Sequence, residues 1–225
     1  STEVAFYSGH LDYQNCALYL PRGYHGSTWE KLPEIITDIE KITAVDLASQ
    51  RDEQVNAFIK DARKEIQKGR LVIYGGDNNE PSFLDWTSAT KDLYDHNGLV
   101  MPWNNSKELH KNGFNDAYRE LYPDPVSHPG FTFPANNEDI NLEKLVWSPD
   151  ADDRDRIDYI FYYPDERIEL VNIILIGPSG SIVKNKRLED DFKDPLVKPL
   201  GIWPTDHRAL LATFHLTPLH KKTPQ

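Results

Sequence analysis

The feature that most constrains the fold of this sequence is a strand–helix–strand unit near its beginning. Over residues 46–68, apolar residues recur at the spacing of a helix with one buried face, at positions 55, 58, 59, 62 and 66. Lys68 and Gly69 supply a basic last turn and a glycine stop, and the apolar run LVIY follows at 71–74 as a strand. A strand over residues 3–8 precedes the helix, so we expect the two strands to lie parallel.

Polar residues stand at the end of each of these strands. The strand at 71–74 runs into GGDNNEPS, which places Asp77 and Asn79 after two glycines, and the first strand runs into His10. Enzymes often hold ligands with polar groups at the ends of buried strands. The same residue types also form ordinary turns, so this stretch alone leaves both interpretations open.

The remaining patterns predict an α/β protein with one domain. We predict a long loop over about residues 13–45 with a short helix near 32–41, helices over 82–96 and 106–121, and strands over 156–163, 168–176, 181–184 and 208–216. The helix over 106–121 is expected to break at Asn112-Gly113. The turn residues GPSG at 177–180 predict a hairpin between the strands on either side of them. Residues 218–225 are expected to form a tail.

Composition excludes several classes of protein. The net charge of −11 argues against a broad basic face, so duplex DNA is not the favoured partner. The single cysteine, Cys16, excludes an internal disulfide framework. No apolar run approaches the length of a membrane span. No signal peptide is visible, yet the chain does not begin where a domain usually begins, so an exported location stays open.

Two further polar clusters make the pattern more specific. Asp158 lies inside the apolar run DRIDYIF, and Asp206-His207 precedes the last strand. In order along the chain, SGHLDY, GGDNNEPS, DRIDYIF and TDHRAL resemble the motifs of the endonuclease/exonuclease/phosphatase superfamily. That superfamily includes DNase I-like nucleases, abasic-site endonucleases, sphingomyelinases and inositol polyphosphate 5-phosphatases. The resemblance runs from about residue 3 to about residue 216, and Arg51 and Gln54 resemble the family's R-x-x-Q pattern.

The resemblance implies a DNase I-like four-layer α/β/β/α sandwich over residues 1–217, acting as a divalent-metal-dependent hydrolase of phosphate mono- or diesters. It implies that Asp77 accepts the proton of the attacking water and that Asn79 orients the phosphate or that water. His207 would bond a phosphoryl oxygen, with Asp158 holding its tautomer and charge. His10 would contact the same phosphate. The structural alternatives are a turn-capping Asp77/Asn79 pair and a core Asp158 paired with a nearby arginine.

The resemblance also implies a metal ligand and substrate contacts. Asp206 would give a carboxylate to Mg²⁺ or Mn²⁺, which prefer hard oxygen ligands. Arg22, Phe131 and Trp203 are expected to contact the substrate. The acidic charge and the aromatic residues of the 13–45 insertion, including Tyr19 and Trp29, favour a small or lipid-like phosphate ester.

The sequence departs from the family at two places. Asn78 stands where the family has a phenylalanine that mainly packs, so we expect a local repacking. Family members also carry an N-terminal portion with a metal-ligating glutamate, whereas this sequence starts at the His-Leu strand. We therefore expect a domain incomplete at its N-terminus, with an exposed edge at the first strand and the absent portion as its partner.

Two other functions remain open. A DNA or RNA nuclease requires a basic groove around Asp77 and His207. A non-catalytic binding domain on the same fold is the third possibility, and the absent glutamate favours it. The retained Asp77, Asn79, Asp158, Asp206 and His207 oppose it, because a binding domain has no need of all five.

Overall fold

The computed structural model describes residues 2–217, which form a mixed α/β protein with three β-sheets. The elements are β1 (Val4–His10), α1 (Ile39–Asp46), α2 (Arg51–Gln67), β2 (Leu71–Asp77), α3 (Asn104–Lys111), β3 (Asn115–Asp116), α4 (Ala117–Leu121), β4 (Asp158–Tyr162), β5 (Ile168–Ile176), β6 (Gly180–Val183), β7 (Lys186–Glu189), β8 (Leu196–Val197) and β9 (Ala209–Leu216). Within the described range, no helix has the length and apolar character needed to cross a membrane. The predicted tail, 218–225, lies outside the described residues.

The first sheet has the strand order β1-β2-β4-β3. β1 and β2 are parallel, with α2 in the connection between them, which confirms the predicted crossover. β4 runs antiparallel to β2, and the register pairs His10 with Asp77 and Asp77 with Asp158. Three predicted site residues therefore stand side by side at one end of three adjacent strands.

Both faces of this sheet contribute to the hydrophobic core. On one face, Val55 and Ile59 of α2 pack in a cluster with Val72 of β2. On the other face, Ile73 of β2 packs against a cluster that includes Ile173 of β5, in a second sheet of order β8-β5-β9. Residues 2–217 thus form three layers, helix–sheet–sheet. The predicted four-layer sandwich has a second helix layer on the far side of the second sheet. That layer is not found among the described residues, so it stays a prediction.

The predicted hairpin between residues 168–176 and 181–184 is wrong. β5 pairs with β8 and β9, whereas β6 pairs with β7. Arg208 explains the difference, because its buried guanidinium donates to the carbonyls of Pro178 and Gly180 and holds this turn open. The tight turn lies instead at Lys184 and Asn185, whose positive φ angles of 48° and 59° suit a two-residue hairpin.

The predicted helix over residues 82–96 is absent, and a series of turns takes its place. Side chains form hydrogen bonds with the backbone there. Ser82 Oγ accepts from the backbone amide of Leu84, and Thr90 Oγ1 accepts from the backbone amide of Thr87. Such local bonds compete with helical hydrogen bonds. Trp86 is fully buried and stacks on His96, so tertiary packing determines this segment.

Helix boundaries differ from the predictions for local reasons. The predicted helix over 32–41 lies instead at α1, because the Asp38 side chain caps its amide groups. The predicted helix over 46–68 is confirmed as α2 with a later start, since α2 begins at Arg51 and ends at Gln67. The predicted break at Asn112-Gly113 is confirmed, with Gly113 at a φ of 88°.

β1 is an edge strand of the first sheet within the described residues. Phe6 is 66% exposed and Val4 is 41% exposed on this strand. An exposed apolar edge of this kind is what the sequence predicted, and such edges invite pairing with another strand.

A network of buried ion pairs fixes the residues that lead into β4. The Arg156 side chain is inaccessible to solvent and pairs with Asp85 and Asp116, and Arg119 also binds Asp85. The network joins the 82–96 turns, the N-terminus of α4 and the residues just before Asp158. It therefore helps to position the polar end of the sheet.

We predict that Arg156→Ala lowers the free energy of unfolding by about 3–5 kcal/mol, because it leaves the buried Asp116 without its ion-pair partner and removes one of the two arginines that bind Asp85. Urea denaturation would measure this. The exposed Arg63 offers a matched control, and Arg63→Ala should leave the urea midpoint unchanged. Similar midpoints for both variants would contradict a stabilising role for the network.

Candidate functional site

The candidate site forms at one edge of the first sheet, where β1 and β2 end and the antiparallel β4 begins. Asp77 is largely buried, and its Oδ2 lies 3.6 Å from Nε2 of the exposed His10 side chain. Asp158 is the cross-strand neighbour of Asp77. The segment before β9 adds Asp206 and His207, which line the same open groove as these three residues. The five side chains thus meet in one cleft.

His207 is held by Asp158 through a short contact of 2.8 Å between Nδ1 and Oδ2. The ring of Phe133 packs 5.0 Å from the His207 ring. The structural alternative for Asp158 was an ion pair with a nearby arginine. Arg154 instead pairs with Asp152, and Arg156 pairs with Asp85. Asp158 therefore faces the histidine.

Asn79 ties the ends of β1 and β2 together. Its backbone has a φ of 49°, an uncommon left-handed conformation. Its amide nitrogen donates to Asp77 Oδ1 at 2.7 Å, and its Nδ2 donates to the carbonyl of Leu11 at 3.0 Å. The turn thereby fixes one oxygen of Asp77. Asn78 is buried and accepts a hydrogen bond from Tyr74, which is the expected local repacking.

Arg51 and Gln54 brace the loop that follows His10. The buried Arg51 guanidinium donates to the carbonyls of Asp12 and Gln14 at 2.8 and 2.9 Å. Gln54 Oε1 accepts from the amide of Asp12 at 2.9 Å. This pair therefore shapes the wall of the cleft and stays outside its reacting centre.

The site concentrates negative charge around one histidine. Burial, followed by the charge of Asp158, raises the pKa of Asp77, although His207 partly opposes this. Burial alone would lower the pKa of His207, but the Asp158 hydrogen bond and the charges of Asp158, Asp77 and Asp206 raise it to about 9. His207 is therefore cationic at neutral pH and offsets part of the acidic charge.

The acidic cluster has the chemistry to hold a divalent cation. Within residues 2–217, one side-chain atom each of Asp77, Asp158 and His207 lie within 4.8 Å of one another. Because the protonated His207 has no free lone pair, the two carboxylates are the ligands that this group offers at neutral pH. Asp77 and Asp158 are cross-strand neighbours, and a cation between their carboxylates would offset the repulsion between them. Asp206, the metal ligand predicted from sequence, is not in this set; its Oδ1 accepts from the Thr205 hydroxyl.

Two of the three predicted substrate contacts are not supported. The Arg22 side chain is fully buried and pairs with Asp155. Phe131 is also buried, against Tyr94. Arg22 points into the core because the 13–45 insertion folds inward, and Phe131 packs between Tyr94 and Phe192. Trp203 is partly exposed and lines the groove beside the cluster.

Sequence reasoning missed much of the lining of the cleft. A cavity of about 300 Å³ adjoins the cluster and contains His10, Asp77, Asn79, Asp206 and His207 in its wall. Its other lining residues come from distant segments and are Tyr13, Cys16, Leu18, Tyr19, Trp29, Phe133, Trp147, Asp153, Asp155 and Ile157. The aromatic content of the 13–45 insertion was the signal for Tyr19 and Trp29. Nothing in the pattern around Trp147 or Asp153 indicated a place in this wall.

Comparison with known proteins leaves the function of this cleft unassigned. No family model matches the chain. An uncharacterized protein of Caenorhabditis elegans is 34% identical over 211 residues, and the chain spans 60% of the length of that relative and aligns over 94% of its own. D. rerio TDP2 complexed with a single-strand DNA product superposes with a TM-score of 0.37 and 18% identity, over 74% of this chain and 50% of that one. A TM-score that low does not establish a common fold.

We predict that Asp77→Asn weakens Mn²⁺ binding by about tenfold or more, because it removes a carboxylate ligand. Electron paramagnetic resonance of free Mn²⁺ would measure the affinity. Asp92→Asn is the matched control, since the Asp92 side chain is 74% exposed. Equal affinities in the two variants would place the cation elsewhere.

Proposed function

We propose that this chain forms the catalytic part of a divalent-metal-dependent phosphoesterase that acts on mono- or diesters of phosphate. The observation that carries the proposal is the alignment of His10, Asp77 and Asp158 at one level of adjacent strands, with His207 bonded to Asp158. A water-activating carboxylate and a cationic donor thus face one cleft, as phosphoester hydrolysis requires.

His207 is the phosphoryl-binding cation of the proposed mechanism. Asp158 receives its Nδ1–H, which leaves Nε2–H to bond a phosphoryl oxygen. With a pKa of about 9, His207 keeps this proton at neutral pH. It therefore stabilises the charge that builds up on the phosphoryl group in the transition state.

Asp77 is the proposed proton acceptor for the attacking water. Its raised pKa makes it a stronger base than an exposed aspartate. Its Oδ1 accepts from the backbone amide of Asn79 and keeps a second lone pair for a cation, so Oδ2 is available to the water. His10, at the open side of the cleft, would contact the phosphate.

Asp77, Asp158 and Asp206 would hold the cation, and Mg²⁺ or Mn²⁺ suits such oxygen-rich sites. When bound, the cation neutralises charge on the phosphate and polarises it toward attack. Asp206 is included because it lines the same groove as the other two carboxylates.

The charge of the cleft favours a small ester over a polynucleotide. Among residues 2–217, the cavity of about 300 Å³ is lined by four aspartates and by no lysine or arginine. The adjoining groove adds Arg208, whose guanidinium is buried against backbone carbonyls. A nuclease needs basic side chains along the strand it binds, so this lining favours a small ester over a nucleic-acid strand.

Asp158→Ala should lower turnover by roughly 10²-fold or more, because His207 loses the group that fixes its tautomer and charge. Hydrolysis of bis(p-nitrophenyl) phosphate with Mg²⁺ or Mn²⁺ would measure this, with EDTA abolishing the signal. Asp92→Ala is the exposed control. Adding His207→Ala to Asp158→Ala should cost little more, since the two residues act as a unit. Unchanged turnover in Asp158→Ala would reduce this residue to a structural role.

A second prediction concerns the expected N-terminal portion. If it supplies a further carboxylate to the cation, residues 1–225 alone should hydrolyse the same ester far more slowly than a longer gene product. The comparison uses equal concentrations and saturating Mn²⁺. Equal rates would mean that acids within this chain complete the metal site, and absence of turnover in both proteins would favour a binding domain.

A further inference from the structure

The cavity beside the acidic cluster has a second half that the proposed reaction does not use. Its polar half carries the cluster, and its other half is lined mainly by apolar and aromatic side chains. At about 300 Å³, it lies at the small end of ligand pockets. A group attached to a bound phosphate would therefore enter an apolar space directly.

Aromatic rings form the wall of this space. The Tyr19 and Trp29 rings meet edge to face at 6.3 Å, and the Trp29 and Trp147 rings are tilted by 46° at 5.1 Å. On the catalytic side, Phe133 packs against His207. Rings arranged in this way offer both edges and faces to a further planar ring, which prefers such contacts.

The backbone conformation of Trp29 indicates that the surrounding turn fixes the position of this ring. Its φ of 55° is rare for a large side chain. A turn enforces this conformation: the amide of Trp29 donates to the carbonyl of His25, and the amide of His25 donates to the carbonyl of Glu30, both at 2.9 Å. A strained residue held over a cavity points to a ligand-binding constraint.

The acids of this half do not create a strong site for a cation. Asp155 is paired with Arg22 and also accepts from the Trp86 indole. Asp153 is buried and accepts from the Ser148 hydroxyl, and burial raises its pKa to about 7. The wall is therefore better suited to an uncharged group than to an alkylammonium group, which would require full carboxylate charge or an open aromatic cage.

We propose that this cavity binds a planar aromatic group carried by the substrate next to its scissile phosphate. The inference rests on the proposed function, because the cluster is taken to hold the phosphate while the aromatic wall holds its substituent. Tyr19, Trp29 and Trp147 would then determine which phosphate esters the protein accepts.

Binding of simple phosphonates tests this without any turnover. Phenyl-, cyclohexyl- and methylphosphonate, together with phosphocholine, can be titrated by NMR in the presence of Mg²⁺. We expect phenylphosphonate to bind about tenfold more tightly than methylphosphonate, because its ring is removed from water, and more tightly than cyclohexylphosphonate, because only the planar ring stacks. Equal binding of phenyl- and methylphosphonate, no binding of phenylphosphonate, or a preference for phosphocholine would overturn the inference.

Variants of Trp147 test whether the aromatic wall causes the preference for phenylphosphonate. Trp147 is 43% exposed, so its truncation is compatible with folding, which a thermal melt verifies. Trp147→Ala should reduce the preference for phenylphosphonate over methylphosphonate to about threefold or less, and Trp147→Phe should retain most of it. Phe6→Ala is the matched control, since Phe6 is a 66% exposed aromatic residue outside the cavity wall. An equal preference in the parent chain and Trp147→Ala would overturn the assignment.

The two proposals fail in different ways. Hydrolysis of the chromogenic ester combined with equal binding of phenyl- and methylphosphonate would overturn the aromatic site and leave the phosphoesterase standing. Selective binding of phenylphosphonate that depends on Trp147, with no ester hydrolysed, would support the aromatic site and overturn the reaction.

Discussion

The crowding of acidic side chains at the end of β2 is the physical constraint on which the site depends. The strand register sets Asp77 directly opposite Asp158, and burial of two neighbouring carboxylates is unfavourable unless other charges compensate it. The His207–Asp158 contact supplies part of that compensation within the protein. Burial, followed by the charge of Asp158, raises the pKa of Asp77, and the remaining excess of negative charge suits the cluster to a divalent cation.

Buried arginines outside the reacting centre make this crowding possible. Arg51 binds the loop after His10, Arg156 lies just before β4 and binds Asp85 and Asp116, and Arg208 binds the turn beside the start of β9. Each arginine lies within a few residues of a site segment or contacts one, and its guanidinium bonds several partners in fixed directions. These arginines therefore hold the groups of the candidate site in place while their own charges stay buried.

The shape of the cleft links the proposed chemistry to a proposed specificity. The cluster occupies one half of the cavity, and the 13–45 insertion contributes Tyr19 and Trp29 to the other half. The insertion also sends Arg22 into the core, where it pairs with Asp155 beneath the same cavity. One elaborated segment thus supplies both the aromatic wall and part of the support behind it.

The local patterns of the sequence were sufficient for the strand–helix–strand unit, most strands and the polar strand ends, because periodicity and glycine stops act within a few residues. The resemblance of the motifs also named five of the residues that line the open groove, His10, Asp77, Asp158, Asp206 and His207. Tertiary structure alone decided the pairing of β6 with β7, the turns over 82–96 and the burial of Arg22 and Phe131. These outcomes depend on contacts between distant segments, such as Arg208 with the turn at Pro178 and Trp86 with Asp155. The aromatic wall belongs to the same class, since Trp29 and Trp147 are far apart in sequence and meet only when the chain is folded.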